Sequence, residues 1–323
     1  MRRNIFAVLF CIVALLPQGA VFAQAPLQKV FISYSSSGIN SMDLFLGKDK
    51  GFFREEGLEP QFVQMSASVA VTAAISGEVD ALGSIGSAIR AIQRGAPLRV
   101  IAVTLRRPLF WLIARPEYRS VKELKGKVLG ISTLGGSQHT TAKSMLALGG
   151  LDADKELTSI QLGDQTLQLQ ALVSNSIQVA ALSPPWVAVA HDKFKMNILE
   201  TSIDKYASIQ NGLAVPIKLL QEKPDLIKKL LRARAKGNRY FLGNEREASE
   251  MLARLYRVDF QAALESYRSS KAAFTQTGMP TDEEIKDYLA QDAQVLKLPE
   301  PMAPSKVFDF GIQREVNREL GIK

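Results

Sequence analysis

The chain has 323 residues, 46% of them hydrophobic and 22% charged, an ordinary globular composition with enough length for two lobes. One cysteine, Cys11, and two histidines, His139 and His191, exclude a disulfide framework and a histidine-rich metal site. The formal charge of +8 includes no long basic run and so gives no argument for nucleic acid.

Arg2 and Arg3 precede an apolar run from Ile5 to Leu16, followed by Pro17, Gly19 and the small-residue pattern Val21-Phe22-Ala23. This reads as a signal peptide over residues 1–23, cleaved between Ala23 and Gln24. The run is shorter than the roughly 20 residues a membrane-spanning helix needs. Cys11 leaves with the peptide, so the mature chain would hold no cysteine and carry a charge of +6. The expected product is exported and soluble.

Val30 to Tyr34 reads as a buried strand, followed by the polar loop Ser35-Ser36-Ser37-Gly38 and a helix through Met42 and Leu46. A strand around Gln61 to Met65 leads to Ser66-Ala67-Ser68, which caps a helix closed by Gly77. Val79 to Leu82, the helix Ser84 to Arg94 and the strand Leu98 to Val103 continue a rhythm that indicates a mostly parallel α/β sheet. Leu109 to Ala114 is one more strand, and Ser120-Val121-Lys122-Glu123 has the form of a capping box.

The rhythm then restarts. Val128 to Ile131 is a strand, Ser132-Thr133-Leu134-Gly135-Gly136 a tight polar loop, and Ser137 opens a helix through Leu148. Unpaired N–H groups and the dipole at such a helix start favour an anion or polar group, and the glycines admit close approach. An ordinary strand-to-helix turn with Ser137 as N-cap fits the same residues. Strands near Ser159 and from Gln178 to Leu182 follow, the latter running into Ser183-Pro184-Pro185-Trp186. After Gly212 to Val215 the pattern becomes helical to the C-terminus.

Several short motifs occur in a consistent order between residues 29 and 200. They are Gly51-Phe52-Phe53 with Gly57-Leu58, Gly77-Glu78-Val79-Asp80-Ala81, Gly95-Ala96-Pro97-Leu98, Leu124-Lys125-Gly126-Lys127, Gly149-Gly150-Leu151 and Ser183-Pro184-Pro185. As an ordered set they resemble the bacterial solute-binding proteins for nitrate, sulfonates, taurine and thiamine precursors. The resemblance implies an α/β, two-lobed periplasmic-binding-protein type II fold with a hinge and a helical C-terminal segment. Lobe 1 would hold residues 24–115 and 201–323, and lobe 2 residues 116–200. It further implies a small-molecule ligand (a sulfonate, nitrate-like anion, aromatic acid or pyrimidine), no cofactor, and delivery to the permease and ATPase of an ABC importer by a monomer. The matching cleft positions are Tyr34, Ser35, Ser36, Ser66, Gly83, Ser84, Gly135, Gly136, Ser137, Gln138, Pro184, Trp186 and Asn211. The mature chain lacks the cysteine-rich motif and the cofactor-bearing cysteine of two groups of enzymes sharing this architecture.

Gly135-Gly136-Ser137-Gln138-His139 falls one residue short of a nucleophile elbow, because His139 replaces the final glycine. Neither histidine sits where the chain order of a hydrolase would need its base. An exported hydrolase using Ser137 therefore stands as an alternative, beside a receptor that reports to a sensor protein. His139 either reaches a ligand or faces solvent, and Trp186 either stacks on a flat ligand or packs beneath the sheet. Lys228 to Arg239 reads as a solvated basic face, Asp80 as a turn holder, and Arg106 with Arg107 as a charged pair near the crossing.

Overall fold

The computed structural model describes residues 26–35, 38–203, 205, 209 and 211–323; the expected signal peptide and Ser36 lie outside them. The first unit runs β1 (Gln28–Tyr34), α1 (Met42–Asp49), α2 (Phe52–Glu55), β2 (Leu58–Gln64), α3 (Ala67–Ser76), β3 (Ala81–Ser84), α4 (Ile85–Gln93) and β4 (Leu98–Leu105). The second runs β5 (Trp111–Ala114), β6 (Val128–Ile131), α5 (Ser137–Leu148), α6 (Ala153–Glu156), β7 (Thr158–Gln161), α7 (Gln165–Val173), β8 (Val179–Leu182), α8 (Trp186–Ala188) and β9 (Asn197–Thr201). Strand β10 (Asn211–Pro216) then returns to the first unit. It is followed by α9 (Ile217–Glu222), α10 (Pro224–Gly243), α11 (Glu245–Tyr256), α12 (Phe260–Ser270), α13 (Asp282–Leu296), α14 (Pro304–Val307) and α15 (Gly311–Leu320).

Two five-stranded sheets result, ordered β2-β1-β3-β10-β4 and β7-β6-β8-β5-β9. Within each, the strands joined through helices are parallel, while the strand that arrives directly from the other sheet is antiparallel to both neighbours. The reason is that a parallel partner needs a long crossover and a direct arrival has none. Strand β5, Trp111–Ala114, falls within the 24–115 stretch expected for lobe 1 and pairs with β8 and β9 in the second sheet. The chain therefore crosses between Leu105 and Trp111, and again between Thr201 and Asn211.

Val30 and Ile32 of β1 are fully buried, and Asp80 fixes that strand by accepting the Phe31 N–H at 2.8 Å. Ser120 makes no side-chain cap, because the segment after it is a single turn, Val121–Leu124; Glu123 instead accepts the Arg119 N–H at 2.7 Å. A capping box does form at Thr281 and Glu284, at the start of α13.

The basic face of α10 is paired rather than solvated. Lys228, Arg232 and Lys236 meet Glu315, Glu319, Glu55 and Glu56 from α15, α2 and its C-cap. Arg234 is buried, with Nε 2.5 Å from Asp43 Oδ2 and Nη2 2.8 Å from Thr104 Oγ1. Gly237 permits this contact: a Cβ there would lie 2.2 Å from the Asp43 carbonyl, so α1 and α10 could not approach. One apolar cluster spans both units on this side, joining Met42 and Leu46 to Leu172 and Trp186 through Leu252, Tyr256 and Tyr267 of α11 and α12. Among the described residues no helix is long and apolar enough to cross a membrane.

Removing one partner of a buried ion pair strands the other charge, which costs about 3–5 kcal/mol. Asp43→Ala should therefore lower the free energy of unfolding by about that amount in urea titration, whereas Glu247→Ala, whose Lys50 pair is exposed, should change it by less than about 1 kcal/mol.

Candidate functional site

Three helices aim their N-termini at one space between the sheets. Helices α3 and α4 come from the first unit and α5 from the second, each following a strand or its loop at the carboxyl edge of a sheet. None of their N-caps, Ser66, Ser84 and Gly136, closes its helix with a side-chain hydrogen bond. They meet around a narrow cavity of about 40 Å³. Ala67, Ser84, Gly86 and Ser87 line it from the first unit; Ser132, Thr133, Gly136, Ser137 and Gln138 face them from the second. Ser35, Asn40, Phe110 and Asn211, near the crossings, complete the wall. Among the described residues the lining is hydroxyls, amides and backbone with one aromatic ring, and it contains no charged side chain.

The α5 loop is built by its own side chains. Gln138 Oε1 accepts from the Ser132 N–H at 2.6 Å and from the Ser132 hydroxyl at 2.7 Å, while Nε2 donates to the Ala181 carbonyl at 2.7 Å. Its amide is thus engaged in holding the loop against β8. Gly135 has φ +71°, which favours glycine, and its N–H donates to His139 Nδ1 at 2.9 Å. His139 is buried, which corrects the solvent-facing alternative; burial first, then the Lys143 and Arg90 cations, push its pKa below the ordinary value, with Asp154 opposing. On the first-unit side, the Ser35 and Ser84 hydroxyls are 2.8 Å apart, and Asn40 Oδ1 is buried with no partner.

The units touch across the cleft. Thr133 Oγ1 accepts the Ala67 N–H at 3.4 Å, and Gln64 Nε2 donates to Asp164 Oδ2 at 2.8 Å. Arg90 of α4 donates to the Gly135 carbonyl and, at 3.2 Å, to Thr140 Oγ1, while its Nε is held 2.7 Å from Asp292. A Cβ on Gly86 would stand 1.9 Å from Ser137 Oγ and 3.3 Å from its Cβ, so any side chain at position 86 would displace the Ser137 hydroxyl from where it now lies. Outside the Arg90 bridge lies an open recess of about 670 Å³ touched by Val71, Arg94, Leu134, Gly135, His139 and Lys143.

Of the residues expected at the site, Ser35, Ser84, Gly136, Ser137, Gln138 and Asn211 come together around the cavity. Gly135 borders the outer recess instead. Ser66 precedes Ala67 at the rim, its hydroxyl 3.3 Å from that of Ser68. Gly83 stays within the sheet, where a Cβ would meet the Ser33 carbonyl at 2.8 Å. The Pro184 carbonyl accepts the Ile39 N–H at 3.2 Å in the contact between units. Trp186 belongs to the shared apolar core, edge-on to Tyr256 at 5.7 Å. Tyr34 packs edge-on against Phe45 at 5.5 Å and its hydroxyl lies 3.4 Å from Gln64 Oε1; burial and then the Asp164 charge raise its pKa. Residues the sequence reading left out include Asn40, Gly86, Ser87 and Phe110. Ser87 had a signal, one helical turn beyond Ser84; Asn40 and Phe110 had none, since only the folded crossings bring them near. No histidine engages the Ser137 hydroxyl among the described residues: His139 Nδ1 is occupied by Gly135, and His191 Nδ1 lies 3.0 Å from the Met196 carbonyl.

Known proteins with this fold are mostly binders. The riboflavin-binding protein RibY of Chloroflexus aurantiacus is 27% identical over 239 residues, covering 71% of this chain and 67% of RibY. The periplasmic nitrate-binding protein NrtA of Synechocystis PCC 6803 superposes with a TM-score of 0.75 at 13% identity, covering 91% of this chain and 89% of NrtA. The alkanesulfonate-binding protein SsuA of Xanthomonas axonopodis pv. citri, bound to MOPS, gives 0.72 at 15% identity, with 88% and 99% covered. A desulfurization enzyme shares the architecture too, at a TM-score of 0.64 and 13% identity, so the fold alone does not separate binding from catalysis. These likenesses establish the two-lobed periplasmic-binding-protein fold with its helical C-terminal segment. Residues 39–248 match the sequence profile of the family described as NMT1/THI5 like, and the chain belongs to that family.

Proposed function

We propose that this chain is the exported solute-binding subunit of an ABC importer and that it closes on a small solute carrying an oxyanion, such as a sulfonate or a nitrate-like anion. The observation that carries the reading is the meeting of three helix N-termini, none closed by a side chain of its N-cap residue, at a cavity whose walls among the described residues are hydroxyls and amides without a charged side chain. Helix ends favour an anion by up to about 2 kcal/mol each in partly buried geometry. Hydrogen bonds to a charged acceptor add about 1.5–3 kcal/mol apiece. A site built from such donors binds an anion without a buried counter-cation and discriminates by geometry. The cavity's size favours a compact head group, and the outer recess gives room for the rest of an organic solute. An isoalloxazine ring, as in the ligand named for RibY, would find Phe110 as the one aromatic ring to stack on among the described residues of the inner cavity. The units move as a hinge about the two crossings, with the α11–α12 core as the pivot and the Arg90 side opening.

Thermal shift against nitrate, sulfate, methanesulfonate and riboflavin separates the classes. A ligand at about 100 times its Kd stabilises by about 2.7 kcal/mol, a rise of several degrees for a chain of this size. An oxyanion should give that rise; a rise with riboflavin alone would overturn the oxyanion reading. Ser137→Ala should weaken oxyanion binding roughly 10- to 100-fold, the loss of one charge-assisted hydrogen bond.

Gly86→Val should fold normally, since helical propensity favours valine over glycine, yet its side chain would occupy the space of the Ser137 hydroxyl. Small-angle scattering with saturating oxyanion should show the parent shrinking and Gly86→Val remaining expanded. Equal compaction of both would remove Gly86 from the closing contact.

A further inference from the structure

We infer that His139 is a positioning residue for the ligand loop: by accepting the Gly135 N–H it sets the turn that points the N-terminus of α5 into the cleft, and only neutral His139 does so. The inference rests on the oxyanion reading for its consequence, but its geometry is independent of any ligand. A backbone N–H can only donate, so Nδ1, 2.9 Å from the Gly135 nitrogen, must be unprotonated and Nε2 must carry the ring proton. Protonation would turn Nδ1 into a second donor facing the first. The turn has little freedom to yield. Gly135 has φ +71°, the Gly136 N–H is held by the Thr133 carbonyl at 3.0 Å, and the Leu134 N–H by Gln161 Oε1 at 3.1 Å.

The surroundings oppose a charged ring. Its Nε2 is buried without a partner. Lys143 lies on the same helix and Arg90 reaches in from α4, itself tied to Asp292 of α13. Arg94 borders the same recess, and the carboxylate on that side, Asp154 of α6, is paired with Lys143. In the unfolded chain the imidazole titrates near about pH 6.5, whereas burial and the two cations depress its native pKa. The native contact is therefore fully present above the unfolded value and is lost as pH falls through the lower native one. Loss of the contact removes the bond that holds the Gly135 N–H, so the turn keeps its other ties but sets the helix end less firmly. Ligand capture becomes acid-sensitive through a residue that stands outside the inner cavity and acts on it through the α5 loop.

The test uses the full mature chain and two substitutions. His139→Asn puts Oδ1 where Nδ1 stood, keeping an acceptor that does not titrate; His139→Leu keeps an apolar filling and removes the acceptor. Hydrogen exchange of the 132–140 segment, corrected for intrinsic rates, is followed from about pH 7.5 downward across the acid range in which the native fold persists. The parent should be protected at neutral pH and lose protection as the His139 ring gains its proton, His139→Asn should stay protected throughout, and His139→Leu should be unprotected even at neutral pH. A parent and an Asn variant that respond alike to pH, or a Leu variant as protected as the parent, would overturn the inference. Calorimetry with inorganic sulfate should show parent affinity falling about tenfold on acidification while His139→Asn holds its affinity. If the parent binds no sulfate at any pH, the oxyanion reading is what fails, and the exchange results still decide the role of His139.

Discussion

The contact on which this architecture turns is the approach of Gly86 to Ser137. It joins the first turns of two helices that belong to different sheets, and a Cβ at position 86 would take the space of the Ser137 hydroxyl. Each sheet delivers a helix start to its carboxyl edge, and the two crossings set those edges face to face. A larger residue at position 86 would hold the edges apart, and the cavity would become an open trough. The bonds around it, from Ala67 to Thr133 and from Arg90 to the Gly135 loop, exist only at this separation.

The chemistry of the cleft follows from what the helix ends already supply. Partial positive charge at their N-termini is fixed, needs no counter-ion and does not titrate. The Ser87 and Ser137 hydroxyls line the cavity, the Ser132 hydroxyl is committed to Gln138 and that of Ser84 pairs with Ser35, while Asn40 Oδ1 is buried with no partner among the described residues. Charged groups stand back from the cavity. Arg90 is committed to Asp292 and to the α5 loop, and Arg234 is sealed under α1. Among the described residues, these charged side chains fix the scaffold while neutral groups line the cavity.

Much of this was legible in the residues. Alternating strand and helix signals gave the α/β lobes, and the run from Val128 to Leu148 marked the α5 helix end as a candidate site before any contact was known. Local chemistry was decisive there, because a strand, a glycine turn and a helix start are written in adjacent residues. What could not be read was anything made by distant segments meeting. Trp111–Ala114 carries the same apolar signal whichever sheet it joins, so only pairing with β8 and β9 assigns it. In the sequence Arg234 looks like the other basic residues of α10, until Gly47 and Gly237 bring α1 against it. Trp186 and Tyr34 end or follow strands as cleft residues do, yet the packing of α11 covers the first, and Phe45 and Gln64 hold the second aside. His139 seemed exposed because helix position alone does not reveal that Gly135 turns back on it.

The central claim is that an oxyanion sits where the α3, α4 and α5 helices begin. Anomalous diffraction from crystals of the mature chain equilibrated with selenate addresses it most directly, because selenium marks the anion itself. The account predicts one strong peak between Ser87 and Ser137, within hydrogen-bonding reach of the α4 and α5 backbone N–H groups, about 2.7–3.2 Å from nitrogen to selenate oxygen. Selenium found only in the outer recess or on surface lysines, with the inner cavity holding none, would contradict it.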